Sequence, residues 1–394
     1  MKKLLVLLLT LTPNAFASIW YVDGVNGNDT NDCRTRQNAC KTIGHAISLA
    51  SAGDTIGVGP ATYSENLNIN ISLKLIGSGA GTIIDGGGVN TVVTISIGAA
   101  NVVLSKFTIR NGNNKAGGGI YNQGTLTIHD STVSGNEAGG FGRIPLCGGG
   151  GIYNAGTLTI YASTINSNRA LIGGGICNAG TLTINGSTLS GNSAGPRSYC
   201  DSAGVGGGIE NFSGALVIND STLTGNTAMS SYGDYCPYFA YGGGISYHGG
   251  GVTINNSTIS NNSIQGEYGG FGGGINGTAT LQNSIVADNP MGGNCYGGRL
   301  TSKGYNLSSD NTCTFNGLGD LNNTNPLLGP LQNNGGPTQT QALLPGSPAI
   351  DAGNPNGCTD GSGHLLKTDA RGAPRPDRED PGGCDMGAYE RQKD

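Results

Sequence analysis

Charge is scarce in this chain. Asp, Glu, Lys and Arg make up 11% of its 394 residues, the formal net charge is −5, and there is no basic run. It therefore carries no electrostatic footprint for nucleic acid and little attraction toward anionic surfaces. Beyond the first residues, no stretch is long and apolar enough to span a bilayer. The 10 Cys form no Cys-x-x-Cys pair, and His45, His248 and His364 have no evident ligand partners, so a thiolate or imidazole metal centre is not indicated. The glycine runs are followed by no Lys-Ser/Thr and by no helical pattern, which excludes a phosphate loop and leaves corner geometry.

What is abundant is glycine, 73 residues of it, and it is periodic. The phrase GGGIYNQGTLTIHDSTVSGN, Gly117 to Asn136, returns as GGGIYNAGTLTIYASTINSN from Gly149 and GGGICNAGTLTINGSTLSGN from Gly173. Looser copies start at Gly206, Gly242 and Gly272, so the unit is roughly 20 residues plus a variable insertion. Leu126 and Ile128 alternate with Thr125 and Thr127, the period of a strand with one apolar face. Ile120 and Val133 mark two further apolar positions beyond Gly- or Asn-rich corners, so the pattern predicts three short strands per coil. Coils that pair each strand with its copy bury a column of Ile, Leu and Val, which makes the fold class all-β, a parallel β-helix. Thr55 to Ser309 leaves room for about ten coils and a rod of roughly 50 Å. Asn122, Asn154, Asn178 and Asn211 recur at one corner, and Asn136, Asn168, Asn192, Asn226 and Asn262 at another, positioned for hydrogen-bonded ladders.

Lys2 and Lys3, the apolar run Leu4 to Leu11 and Ala15-Phe16-Ala17 read as a signal peptide over residues 1–17, with the mature chain starting at Ser18. No Cys follows the cleavage site, which argues against a lipoprotein. An even number of Cys in an exported chain implies disulfides. Cys200 and Cys236 each lie nine residues before a repeat isoleucine, Ile209 and Ile245, and should therefore sit one coil apart and pair. Cys33 with Cys40, Cys295 with Cys313, and Cys358 with Cys384 are the local choices; Cys147 with Cys177 follows by elimination.

TIGHAISLASAGDTIGVGPATYSENLNINISLKLIG, Thr42 to Gly77, places Ile43, Ala46, Ile47 and Ala50 on one helical face before Gly53-Asp54 and a strand. It resembles the N-terminal cap of pectate-lyase-like right-handed β-helix proteins, which implies a right-handed coil with a helical lid. The GGGI-x-N and STxSGN phrases resemble the repeats of polymorphic outer-membrane proteins, without their FxxN signature. NPLLGPLQNNGGPTQTQALLPGSPAIDAG from Asn325, DARGAPRP from Asp369 and CDMGAYE from Cys384 resemble the choice-of-anchor Q domain. That resemblance implies an exported bacterial protein of the cell surface or outer membrane, although no sorting tail is visible after Arg391. The domain reading is 18–54 cap, 55–314 β-helix and 315–394 C-terminal region. In that last part, Asp369, Arg371, Asp385 and Glu390 read as structural charges.

Catalysis on a β-helix needs a base and a cation on the outer face of neighbouring coils. One place qualifies. Aligning NVVLSKFTIRNGN from Asn101 with the next coil stacks Ser105 on His129 and Lys106 on Asp130, with Arg110 nearby. A solvated ion pair explains the same residues; under the enzyme reading, Lys106, Arg110 and His129 would serve a polysaccharide lyase or epimerase. DGVNGNDTND, Asp23 to Asp32, is oxygen-rich enough for Ca²⁺ but misses the EF-hand spacing and reads more simply as an Asx-rich turn; no other cofactor is implied.

The insertions leave successive coils at one corner and carry Phe141, Tyr199, Tyr232, Tyr235, Tyr238, Phe239, Tyr241, Tyr268 and Phe271. Aromatics on one side of a rigid rod can stack on sugar rings or hold a surface protein, and they can also simply pack over their own loops. The expectation is an exported binding, adhesion or structural protein, with polysaccharide as the first partner class.

Overall fold

The computed structural model describes residues 17–99, 101–139, 147–196, 203–230, 238–360, 362–378 and 383–393. The leader, the Cys200 to Cys236 pair, Phe141, Tyr199, Tyr232 and Tyr235 lie outside these residues. The chain is a right-handed parallel β-helix. Sheet A stacks eleven strands, from Ile19–Val22 to Leu300–Ser302. Sheet B stacks ten, from Ala61–Ser64 to Leu307–Ser308, and sheet C nine, from Leu67–Ile69 to Cys295–Tyr296. Pairing within these sheets is parallel and follows the repeat: Leu126 lies on Leu158, Ile128 on Ile160, Val133 on Ile165 and Ile120 on Ile152. All these side chains are fully buried, so each coil adds one layer to a continuous apolar column.

From Asn113 on, the coils hold a fourth strand beyond the three that the alternation predicts. Asn113–Asn114, Glu137–Ala138, Arg169–Ala170, Ser193–Ala194, Thr227–Met229 and Ser263–Gln265 form the six-stranded sheet D. Strands of two or three residues have no period to read, and their inward residue is usually a small Ala. The chain order within a coil is therefore A, B, D, C, and the insertions leave between D and C.

Three ladders fix the corners. Asn122, Asn154, Asn178 and Asn211 bond amide to amide at 2.7 to 2.8 Å. Asn136, Asn168, Asn192, Asn226 and Asn262 do so at 2.9 to 3.0 Å, and Asn289 extends them. In the third, the backbone N–H of Ser131 donates to the Ser163 hydroxyl, and Ser163, Ser187, Ser221 and Ser257 repeat the bond to the next coil. Between sheets A and B the chain turns through a left-handed residue in coil after coil: Lys106, Asp130, Ala162, Gly186, Asp220, Asn256 and Asn283. Glycine is demanded elsewhere: a Cβ on Gly150 would lie 2.4 Å from the carbonyl oxygens of Arg169 and Gly174.

Helix Ile43–Leu49 lids the first coil, burying Ile43 and Ala46. Thr42 caps it, and the Glu65 carboxylate accepts from the N–H groups of Ile43 and Gly44 at 2.8 and 2.7 Å. Cys33 is joined to Cys40 in this cap, Cys295 to Cys313 and Cys358 to Cys384, the local pairs expected, and Cys147 to Cys177, the pair expected by elimination. At the far end Cys313 and Phe315 close the apolar column.

The C-terminal region does more than close that end. It runs back along the outer face of sheet B, where Thr338 donates to the Gly186 carbonyl and Thr188 to the Gln339 carbonyl. Asn256 donates to the Thr359 carbonyl, the Ala388 N–H to Thr258, and Asn283 to the Asp385 carbonyl. Outward-facing Thr222, Thr258 and Ser260 are buried as a result. Charge secures this strap. Arg375, itself buried, bonds Asp220 of the rod and Glu390 of the strap, both at 2.8 Å, and the Gly387 carbonyl. Asp369 pairs with Arg371 at 2.7 Å, and Arg371 lies over the Tyr389 ring.

Candidate functional site

Because the insertions leave between sheets D and C, their described aromatic residues gather beside the outer face of sheet C. Phe271 is the centre: its ring stacks on Tyr296 at 4.2 Å and lies 5.6 Å from Phe239 and 6.0 Å from Tyr241. The strand pairs Ala240 on Gly270 and Tyr241 on Phe271 hold these rings one coil apart. Tyr238, Phe239 and Tyr296 are half exposed, at 50%, 45% and 46%, and Met291 beside the Gly273 corner is 55% exposed. Tyr268 is partly buried, its N–H donating to the Ser230 hydroxyl. Tyr199, Tyr232 and Tyr235 lie outside the described residues, so the ring cluster consists of Phe239, Tyr241, Phe271 and Tyr296, with the half-exposed Tyr238 next to Phe239 in the chain.

Tyr296 was not a sequence candidate. The signal for it was the register: Ile275 pairs with Cys295, which places Tyr296 on the outward column of sheet C. Thr94, Tyr121, Tyr153, Cys177, Glu210 and Ser246 precede it on that column. Tyr121 and Tyr153 stack at 5.1 Å. Glu210 is buried, and burial pushes its carboxyl up to about 8, against a hydrogen bond from Ser246 that lowers it. Its Oε2 has no partner among the described residues. The column thus carries a neutral carboxylic acid at pH 7 between two aromatic groups.

The three catalytic candidates separate. Ser105 does pair with His129, and the Lys106 N–H donates to the His129 carbonyl at 3.1 Å. The His129 ring, however, is 3.0 Å from Asp130 and tilts against Tyr161 at 5.9 Å. Arg110 belongs to sheet B and is bound to Asp85 at 2.9 Å, with Asn111 donating to the same carboxylate. These bonds, with the Gly87 N–H, hold Asp85 below the usual carboxylate range although partial burial acts against them. Arg110 and His129 are each engaged with their own carboxylate, and Lys106 is exposed at the turn between them.

The oxygen-rich Asp23 to Asp32 segment uses its acceptors internally. Asp23 accepts from Val25, Asn26 and the Asn26 side chain, Asp29 from Lys41 and Thr42, and Asn28 from Thr30. The Asp23 and Asn28 bonds are local Asx-type turn bonds, whereas those of Asp29 tie the segment to residues 41 and 42, just before the cap helix. Cys33, Cys40 and His45 lie together, but the two sulfurs are spent in a disulfide.

No protein-family model matches this chain, and no curated protein matches it. Among solved structures, it is similar to the deglycosylated pectin methylesterase from Aspergillus niger, at 13% identity over 73% of this chain and 86% of that one, with a TM-score of 0.31. A likeness of that degree carries no argument about function, and the coil architecture rests on the strand register described above.

Proposed function

We propose that this is an exported bacterial cell-surface or extracellular β-helix protein of the choice-of-anchor Q type that binds glycans at its insertion corner. The observation that carries this reading is the cluster of Phe239, Tyr241, Phe271 and Tyr296, in which the half-exposed Phe239 and Tyr296 rings lie against a partly buried Phe271 on a rigid support. Rings in this setting offer apolar faces and edges to a sugar while the Tyr hydroxyl stays wet. Export is supported by the leader sequence and by the four described disulfides. Among the described residues, no helix is long and apolar enough to cross a membrane. The choice-of-anchor Q assignment rests on the motifs from Asn325 to Glu390, whose Asp369, Arg371, Asp385 and Glu390 bond to one another within the strap, Glu390 also holding the Arg375 that docks it.

A glycan array probed with the mature protein and with the Phe271→Ala/Tyr296→Ala variant tests the reading. Each ring is worth about 1 kcal/mol, so the double variant should lose at least roughly tenfold in affinity with its melting temperature nearly unchanged. Unaltered binding with a lowered melting temperature would make the rings packing residues only. Release of unsaturated ends from acidic glycans, lost in Lys106→Ala or His129→Ala, would establish a lyase instead.

A further inference from the structure

At the N-terminal end of the rod, three segments of the chain converge on one buried acid. Asp54 is 4% exposed and stands in the turn that follows the cap helix Ile43–Leu49. Its carboxylate accepts from the Ser18 N–H at 2.6 Å, from the Trp20 Nε1–H at 2.8 Å and from the Ser51 N–H at 2.8 Å. It therefore ties the first strand to the end of the cap. The register brings it there, since Ile19 pairs with Thr55 and the Thr55 N–H donates to the Ser18 carbonyl at 2.9 Å. One residue earlier, Ala17 is exposed.

Asp54 carries a charge that nothing in contact balances. Burial acts to raise its pKa, but the bonds from Ser51, Trp20 and Ser18 outweigh it and hold the carboxyl below its ordinary value. Among the described residues, no Lys, Arg or His side chain makes an ion pair with it. Arg34 lies over the Trp20 ring at 3.6 Å and acts on the carboxylate from outside. The other charged groups on the surrounding elements are engaged elsewhere. Lys74, on the next strand, gives only its backbone N–H to the Asp54 carbonyl, His45 on the cap helix acts on Asp29, and Glu65 accepts from the first helical N–H groups. A buried carboxylate with no cation in contact is costly.

Removal of the leader supplies the cation. In a chain that still carries it, Ser18 offers a neutral peptide N–H. Hydrolysis of the bond between Ala17 and Ser18 joins the oxygen of water to the Ala17 carbonyl carbon. Both protons of that water end on the Ser18 nitrogen, leaving a carboxylate and an ammonium, the form an α-amine takes at neutral pH. The ammonium nitrogen is the atom already placed 2.6 Å from Asp54 Oδ1, as close as a charge-assisted hydrogen bond.

We propose that Asp54 is the receptor for the α-ammonium created at Ser18, so that processing charges the first strand and locks the cap onto the rod. A chain that keeps its leader lacks this pair and holds its cap less firmly until export is complete. The proposal rests on the export reading above and on no residue of the insertion corner.

The test compares three forms of the mature protein: one with a free amine at Ser18, one acetylated there, and one that retains Ala17 and so carries its ammonium one residue further out. Titration of the Ser18 amine by NMR should give a pKa at least about 1 unit above the ordinary range of roughly 7.7 to 8.0. Because the folded value is raised, the contribution of the pair is complete below the ordinary amine pKa and is lost as pH rises through the raised one. In denaturant unfolding, the free-amine form should exceed the other two in its folding equilibrium constant by roughly tenfold at about pH 6 and match them near pH 10. In Asp54→Asn, acetylation should make no difference; if that variant does not fold, the amine titration and the acetyl comparison decide. An amine that titrates in its ordinary range in a chain beginning at Ser18, or equal stability of the free and acetylated forms, would overturn the pair and leave export standing. A different first residue in sequenced exported material would overturn both.

Discussion

Glu210 shows what a single buried side chain does to the energetics. Burial raises its pKa to about 8, so the native state keeps a proton that the unfolded chain has already released. The stability it contributes is complete below the ordinary carboxylate pKa and is lost as pH rises toward 8, at up to roughly 1.4 kcal/mol per pH unit. Glu210→Gln should therefore raise the melting temperature at pH 8 and do little at pH 5, by scanning calorimetry. A larger gain at the lower pH would mean that the native carboxyl is ionised. Arg375 gives the complementary case. Arg375→Met leaves Asp220 and Glu390 buried without their cation and should cost about 3–5 kcal/mol in denaturant unfolding. Neither role was legible in the sequence: 155 residues separate Arg375 from Asp220, and nothing in the Glu210 repeat marks that copy as covered. Asp369, Arg371, Asp385 and Glu390, by contrast, are placed in structural pairs as the sequence reading expected.

At the scale of the element, the coil was readable because its period is written repeatedly, and each copy averages out the noise of the others. Leu126, Ile128, Val133 and Ile120 each head a buried column. Sheet D was not readable, since Glu137–Ala138 is held by its Asn136 and Gly112 neighbours and not by any alternation of its own. The Ser131 to Ser284 ladder escaped notice for a related reason, as a Ser in an STxSGN phrase looks like any turn residue. The Asn ladder is the element most exposed to test. Asn168→Ala removes bonds to Asn192, Asn136 and the Val133 carbonyl inside the stack. It should cost about 1–3 kcal/mol by chemical denaturation. Gly150→Val should be worse, since its branched carbon would run into backbone that two coils share. A gain in stability from either change would show that these corners are looser than the ladder geometry requires.

For the whole molecule, the leader and the disulfides make one coupled expectation: mature protein begins at Ser18 outside the cytoplasm, as N-terminal sequencing of secreted material would record. Protein held in the cytoplasm with Met1 intact would sink it. Non-reducing peptide mapping should then recover Cys200 linked to Cys236, beside the four links already described; either Cys free, or joined to Cys33 or Cys384, would contradict the coil register on which that pair rests. The insertion corner was legible in outline, because the copies diverge most in length between the SGN phrase and the next GGG.

The strap along sheet B also sets how the rod would bear a load. In a bare solenoid pulled at its C terminus, the last coil peels first, and each coil that leaves exposes the next, so resistance is that of one coil at a time. Here the C-terminal residues are anchored at Asp220 through Arg375, and residues 338–339 reach as far back as Gly186 and Thr188. Tension at the terminus therefore enters the rod in its middle, where the bonds from Gly186 to Asn283 are loaded together and sideways. Such an arrangement yields in a single rupture and keeps the remaining coils wound until it does.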